Sequence, residues 1–378
     1  MKSGIDYSVV LPCRNEEKTI GKCIDKIKKV FEKFNLKGEI IVSDSSIDKS
    51  AMIARKLGAK VVKHNKVGYG IALLEGLKES SGKYIIMADA DNTYDFYEIP
   101  VFVDALREGY DLVVGSRFKG RIKKRAMPFI HRYIGNPLLS LIFKLFFKTK
   151  LSDIHCGFRA IRKDALEKLN LKTTGMEFAS EMILAAEKNN LRIKEVPVSY
   201  SPREGESKLK SFGDGWRHLR FMLMYSPTYL FLVPGFLFLI AGLLIVFALL
   251  KGPLQLFNFN FDIHFMFLGS LISLLGYQII SIGLYAKTYA INIGFEKHDR
   301  VIDFIAKYVS LERGLLIGFF VFIIGFIISF KILYYWISHG FAALNEIRTL
   351  LFTFTLLLIG IQTMFSTFFI SLLLVEKK

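Results

Sequence analysis

Cysteine is scarce in this 378-residue sequence, and the three present, Cys13, Cys23 and Cys156, are odd in number and widely spaced. That pattern excludes a disulfide framework and a cysteine zinc site, and it suits a reducing compartment. Histidine offers no metal site either, because His64, His131, His155, His218 and His264 show no helical ligand spacing. The opening "MKSGIDYSVVLP" has only a short apolar run, ending at Pro12. It lacks the charged and then long apolar segments of a cleavable signal, so the N-terminal part is expected to stay cytoplasmic. Acidic residues are outnumbered, 34 against 51 Lys and Arg, for a net charge of +17. Basic charge beside long apolar runs points to an anionic membrane surface, and no nucleic-acid partner is expected.

What the sequence does have is apolar content, 52% of it with 35 Phe, more than one soluble domain requires. Up to about Arg220 short apolar runs alternate with polar helical stretches. Beyond Pro227 come four runs of roughly the ~20 residues a membrane helix needs, near 228–250, 265–286, 314–337 and 349–374. The expected division is a soluble domain over 1–220 and a membrane domain over 228–378. The loop between the second and third spans carries Lys287, Lys297, Arg300, Lys307 and Arg313, whereas the loops on the other side carry only Lys251 and Arg348. Positive-inside bias therefore predicts an integral protein of the cell membrane, with the soluble domain and both termini cytoplasmic.

In the first half, "YSVVLP", "GEIIVSD", "AKVVKH", "KYIIMAD" and "DLVVGS" read as strands, separated by helical stretches such as "KTIGKCIDKIKKVFEKF" with Ile20, Ile24, Ile27 and Phe31 on one face. The alternation predicts an α/β fold with a mostly parallel sheet, whose ligands collect at the carboxyl ends of the strands. Asp44 and the pair Asp89 and Asp91 stand at such ends. Residues two apart in extended backbone project to one side, so the pair can converge on one target. Two close carboxylates need a counter-charge, and Mg²⁺ or Mn²⁺ bound jointly with substrate phosphates supplies one. A diphosphate-containing substrate follows. Gly68 and Gly70, which lack the spacing of a P-loop or dinucleotide fingerprint, read as a turn and helix start beside the nucleotide.

The ordered motifs "LPCRNEEKTI", "IIVSDSSIDKS", "YIIMADADNTYD", "VVGSRF", "SDIHCGFRAI" and "PREGESKL" resemble those of family 2 glycosyltransferases of the GT-A (Rossmann-like) fold. The similarity is greatest to the membrane-bound branch making polyprenyl-phosphate sugars, such as dolichyl-phosphate mannose and glucose synthases. It covers about the first 220 residues. The resemblance implies a GT-A domain, expected to be cytoplasmic; it does not reach the helical transmembrane domain of four spans, which is read from the apolar runs that follow. It implies inverting transfer of one hexose from a nucleotide sugar, GDP-mannose or UDP-glucose, to dolichyl or polyprenyl phosphate. Donor binding would fall to Pro12, Arg14, Asn15, Glu16, Val42, Asp44, Asp89, Ala90 and Asp91, with Asp89 and Asp91 holding the metal. Arg203 and Lys208 would neutralise the departing diphosphate, where fixed cations stabilise developing charge. Arg117, Arg132 and Asn136 would bind the acceptor phosphate. Asp91, Arg117, Arg203 and Lys208 form the expected catalytic set. Glu181 matches a helix acid of the family and reads either as orienting site groups or as a helix-surface glutamate. The sequence departs from the mannose-synthase pattern at Asn92, Thr93 and Tyr94, beside the metal and sugar.

A phosphate monoester acceptor is already largely dianionic at neutral pH, its second pKa being about 6, so cations matter more than a general base. The stretch from Lys119 to Arg125 is basic, and an amphipathic run follows near 127–148, where Arg132, Pro137 and Lys144 argue against a span. This run and a second near 213–226, with Trp216, Arg217 and Arg220, read as interfacial helices lying on a bilayer. Two alternatives stay open: a processive polysaccharide synthase, although the usual Gln-x-x-Arg-Trp motif of such enzymes is missing, and a non-catalytic membrane adaptor, although the charged motifs are intact.

Overall fold

The computed structural model describes residues 4–205, 211–256, 258–292 and 311–375. The chain divides into two compact units, Met1–Met222 and Leu223–Lys378, each with its own apolar core.

In chain order the first unit runs β1 (Tyr7–Cys13), α1 (Ile20–Lys33), β2 (Gly38–Asp44), α2 (Ser50–Lys56), β3 (Lys60–Lys63), α3 (Tyr69–Lys78), β4 (Tyr84–Met87), α4 (Ile99–Arg107) and β5 (Leu112–Ser116). It continues through α5 (Asn136–Phe147), β6 (Arg159–Arg162), α6 (Lys163–Leu166), α7 (Phe178–Lys188), β7 (Ile193–Pro197) and α8 (Ser211–Met224). The seven strands form one sheet in the order β3-β2-β1-β4-β6-β5-β7. Every pair is parallel except those made by β6, which runs against both β4 and β5. Strands covered on both faces read as continuous apolar runs, and Val9, Val10 and Leu11 in β1 are accordingly all buried. On α1, Ile20, Cys23, Ile24, Ile27 and Val30 make one buried stripe. β1 and β4 are hydrogen-bonded neighbours, from Tyr7 opposite Tyr84 to Val10 opposite Met87. The order reverses about them, so their carboxyl ends open onto one crevice.

The second unit contains α9 (Val233–Leu249), the hairpin β8 (Leu254–Leu256) and β9 (Phe259–Phe261), then α10 (Ile263–Asn292), α11 (Leu311–Ser338) and α12 (Ile347–Val375). Among the described residues four helical stretches are long and apolar enough to cross a membrane: Thr228–Leu249, Ile263–Ile291, Leu311–Ser338 and Ile347–Leu374. Lys287 corrects the sequence reading. It belongs to α10 rather than a loop, with its side chain fully buried and its Nζ donating to Thr228 Oγ1 at 2.6 Å. A paired ammonium can stay inside an apolar helix where a bare one cannot. Arg313 likewise falls in the first turn of α11, and Lys297, Arg300 and Lys307 lie outside the described residues. Backbones approach closely where side chains are small: a Cβ on Gly242 of α9 would sit 2.4 Å from the Ser273 amide nitrogen of α10. Between α10 and α12 the contact is polar, with Ser270 and Thr355 hydroxyls 2.6 Å apart and Tyr277 and Thr363 hydroxyls 2.7 Å apart.

Candidate active site

The crevice at the ends of β1 and β4 holds a cavity of about 300 Å³. Of the residues singled out by sequence, Pro12, Arg14, Glu16, Asp89, Ala90, Asp91 and Arg203 line it. Asp89 and Asp91 converge for a different reason than strand alternation, because β4 ends at Met87 and both acids lie past it. The segment is held instead by side chains. Asp91 Oδ1 accepts from the Thr93 amide at 3.1 Å and the Thr93 hydroxyl at 2.6 Å, which leaves Oδ2 facing Arg203 Nη1 at 3.3 Å. Asp89 accepts from the Tyr69 phenol, and a Cβ on Gly157 would come within 2.9 Å of its Oδ2. A side chain at 157 would therefore press on the Asp89 carboxylate. Burial, and then the charge of Asp91, raise the Asp89 carboxyl well above the usual carboxylate range. The pair is short of positive charge.

Arg203 supplies part of it. Its Nη2 pairs with Glu16 Oε1, its Nη1 faces Asp91, and its Nε is buried without a hydrogen-bond partner among the described residues. No three His, Cys, Asp or Glu side chains converge among the described residues. Two carboxylates facing a cavity nevertheless fit Mg²⁺ or Mn²⁺, which commonly take one or two carboxylates and complete their shell with substrate phosphates and water. Burial pushes the Cys13 and Cys23 thiols up to about 12, so neither is a thiolate nucleophile near neutral pH.

Three of the expected donor residues are not part of the cavity lining. Asn15 adopts a left-handed φ of 53°, receives the Ile47 amide on Oδ1 at 3.0 Å and donates its own amide to Ser46 Oγ at 2.7 Å. Asp44 is buried at the end of β2, taking Lys63 Nζ at 2.6 Å, and Val42 is buried two residues earlier. Lys208 lies outside the described residues. The expected acceptor residues are not gathered at the cavity either. Arg117 is buried, with Nε and Nη2 bonded to Asp153 at 2.7 and 2.8 Å, and its guanidinium lies over the Tyr200 ring, 5.4 Å from the centroid. Tyr200 does line the cavity, so Arg117 meets the site through that ring. Arg132 lies over Tyr133 at 5.2 Å, and Asn136 Nδ2 is 3.7 Å from Met127 Sδ.

Sequence reasoning missed Tyr69, Gly175, Met176, Tyr200, Asp214 and Arg217, all of which line the cavity. The last two were legible as a polar i, i+3 pair on α8, here 4.0 Å apart. Glu181 turns out to orient: its carboxylate receives the Lys172 amide at 3.0 Å and the Thr173 amide at 2.8 Å, fixing the loop that presents Gly175 and Met176. The same loop abuts Gly68 and Gly70, where a Cβ would lie 2.3 Å from the Thr174 and Thr173 carbonyl oxygens. At the departure from the mannose-synthase pattern, Asn92 joins Lys26 at 2.7 Å to Glu204 at 3.0 Å, and the Tyr94 hydroxyl accepts the Gly157 amide at 2.8 Å. These residues build the acid-pair loop.

Residues 8–170 match the glycosyl transferase family 2 model, and residues 284–374 match that of the glycosyltransferase family 2 C-terminal transmembrane region. The chain is 39% identical over 362 residues to the low-salt glycan biosynthesis hexosyltransferase Agl6 of Haloferax volcanii, covering 96% of this chain and 87% of that protein. A dolichyl-phosphate hexose transferase of the same organism is 31% identical over 212 residues, 56% of this chain and 89% of that protein. The dolichol-phosphate mannosyltransferase of Pyrococcus furiosus is 28% identical over 212 residues, 54% of this chain and 59% of that protein. With its α/β GT-A sheet, the acid-lined crevice and four apolar helices, the chain belongs to glycosyltransferase family 2 as an integral membrane glycosyltransferase.

Proposed function

We propose that the protein moves one hexose, mannose or glucose, from GDP-mannose or UDP-glucose to dolichyl or polyprenyl phosphate at the cytoplasmic face of the cell membrane. The observation that carries this reading is the single cavity in which Asp89 and Asp91 face Arg14, Arg203 and Arg217. Carboxylates and guanidinium groups around one space suit a metal-bound diphosphate, and Asp89 and Asp91 are the residues that would hold Mg²⁺ or Mn²⁺. When bound, that cation would neutralise diphosphate charge as the sugar–oxygen bond breaks. In an inverting single displacement the acceptor phosphate oxygen attacks the anomeric carbon from the face opposite the diphosphate, forming one C–O bond as the other breaks. Arg203, with Lys208 as implied by the family motif, stabilises the leaving group. Arg14 and Arg217 add positive charge to the wall.

The lipid acceptor is supported by apolar surface next to cations. Phe129, Ile130, Leu138, Leu141 and Leu145 are exposed around and along α5, as are Phe212 and Trp216 on α8, the pattern of helices lying in a headgroup layer. Arg132 and Asn136 sit within the first of these stretches, and Arg117 contributes a fixed charge behind Tyr200. The relatives whose names carry dolichyl or dolichol phosphate support the same acceptor.

Purified full-length protein incubated with UDP- and GDP-sugars and a short polyprenyl phosphate should yield a lipid-phosphate monosaccharide from one donor, with Mg²⁺ or Mn²⁺ required. Asp91→Asn should lower the rate by at least two orders of magnitude while leaving thermal unfolding unchanged. A polymeric glycan product would favour the processive synthase instead.

A further inference from the structure

Arg203 is placed where it must compete with the cation that the acid pair would bind. Its guanidinium spans Glu16 and Asp91, and it does so through Oδ2, the Asp91 oxygen not taken up by Thr93. A hard cation takes carboxylate oxygen at about 2.0–2.1 Å, and a guanidinium 3.3 Å from that same oxygen both occupies its open side and repels a second positive charge. Glu16 is held in place by its backbone, whose amide donates to Ser50 Oγ at 2.9 Å, while the Thr19 hydroxyl donates to the Ala90 carbonyl at 2.9 Å and lies 3.3 Å from Glu16 Oε2. Arg203 also keeps Nε as a buried donor with no hydrogen-bond partner among the described residues. An unmade hydrogen bond at a buried donor atom is costly, and an incoming phosphate oxygen satisfies it.

We infer that Arg203 is the resident counter-ion of Asp91 before substrate binds, and that the nucleotide's diphosphate makes room for the divalent cation by drawing Arg203 off that carboxylate. Cation and nucleotide then enter as a coupled pair, each strengthening the other by the same factor, as linkage requires. Asp91 keeps a counter-charge throughout, first Arg203 and then the cation, and the acid pair binds free divalent ions weakly when no nucleotide is present. The inference rests on the donor-site reading above.

The test measures Mn²⁺ binding to the full-length protein in detergent, without nucleotide, from loss of the free-ion paramagnetic resonance signal. Arg203→Gln removes the competing charge and should tighten Mn²⁺ on the order of tenfold, within the usual range of coupling between sites. Arg203→Lys keeps the charge and should stay within about twofold of wild type. Adding Asp91→Asn to Arg203→Gln should abolish the gain, which separates this site from adventitious Mn²⁺ binding. Wild-type affinity or weaker in Arg203→Gln overturns the inference, and so does a gain in Arg203→Lys equal to that in Arg203→Gln. A separate titration of wild type with UDP and GDP in saturating Mn²⁺ tests the donor reading itself. Failure of both nucleotides there, with the Arg203→Gln gain intact, would remove the donor assignment and leave the counter-ion in place.

Discussion

The two units both bury hydroxyls but differ in the charge they bury. In the catalytic unit the buried set includes full charges: Asp44, Asp91, Arg117, Asp153 and Arg159. Among the described residues of the membrane unit it is mostly hydroxyls, Ser270, Ser273, Thr353, Thr355 and Thr367, with Lys287 the exception. A buried charge costs several kcal/mol unless paired, so a fold keeps several only where a charged ligand or its scaffold needs them. Hydroxyls in lipid are cheap by comparison, because each can bond to its own helix, as Ser273 does to the Gly269 carbonyl and Thr367 to the Thr363 carbonyl. One unit therefore carries fixed internal charge, as the proposed diphosphate donor would require, and the other uses its hydroxyls to hold helices together.

The comparison breaks most sharply at Asp153. Removing it as Asp153→Ala leaves Arg117 buried and unpaired, and the expected loss is about 3–5 kcal/mol of stability in the catalytic unit. The chain carries two tryptophans, Trp216 on α8 and Trp336 on α11, so each unit has its own fluorophore. Denaturant unfolding in a Trp336→Phe background should show the whole shift at Trp216, while the Trp216→Phe counterpart shows almost none. Equal shifts at both would mean that the pair is not confined to the catalytic unit's own stability.

A second buried pair is uncharged in the fold. The rings of His155 and His218 meet edge to face, 4.2 Å between centroids, and His218 Nδ1 lies 3.0 Å from the Ser180 hydroxyl. Burial, followed by the charge of Arg159, lowers His218 to about 4. Burial, then His218, Arg117 and Arg159, also holds His155 well below its ordinary value. The sign follows from proton counting. Below an unfolded pKa of about 6.5 the unfolded chain takes up a proton that the fold refuses, so stability falls as pH drops toward 4. His218 alone accounts for a loss on the order of 3 kcal/mol across that window. His218→Phe should flatten the slope of stability against pH between about 6.5 and 4.5; an unchanged slope would refute the burial of this ring.

How much of this was legible in the sequence depended on where the charges fell. Five strands announced themselves as apolar runs, but β6, "RAIR", and β7, "IKEVP", did not, because charged residues interrupt them. Arg159 reads as a surface residue, yet its guanidinium donates to the Cys156 and Ile154 carbonyls at 2.7 Å. Glu195 in β7 caps the loop of Asp153 by accepting the Ser152 and Asp153 amides at 2.7 and 3.0 Å. The acids at the ends of β2 and β4 were legible, since strand ends are marked locally. Arg117 stood out in the sequence as a cation after a strand end, but its pairing was not readable, because Asp153 lies 36 residues away and no local pattern joins them. In the membrane unit, length and hydropathy revealed the helices, while the hairpin of β8 and β9 was too short to register.

The membrane side of the comparison is sharpened at Gly242. A larger side chain there would meet the Ser273 amide and the Gly269 carbonyl at 2.4 and 2.5 Å, so α9 and α10 would have to move apart. Gly242→Leu should cost about 1–3 kcal/mol, as overpacking does, reported at Trp336 and not at Trp216. An unfolding midpoint unchanged at Trp336 would show that the two helices are not held at this spacing.

The smallest expected effect is the most specific to the lipid setting. Thr355 on α12 donates to the Leu351 carbonyl at 2.7 Å and shares a 2.6 Å hydrogen bond with Ser270 on α10. Valine preserves its shape and removes the hydroxyl, leaving Ser270 without this interhelical partner. In a soluble core an orphaned polar group would cost about 1–3 kcal/mol. Between membrane helices, measured interhelical hydrogen bonds average only about 0.6 kcal/mol, because the separated helices also find partners for their hydroxyls. Thr355→Val is therefore expected to shift Trp336-detected unfolding by about 0.6 kcal/mol, several-fold less than Asp153→Ala shifts Trp216. A double-mutant cycle with Ser270→Ala isolates the pair. A coupling as large as that of the Arg117–Asp153 pair would abolish the distinction between the two units' ways of burying polarity.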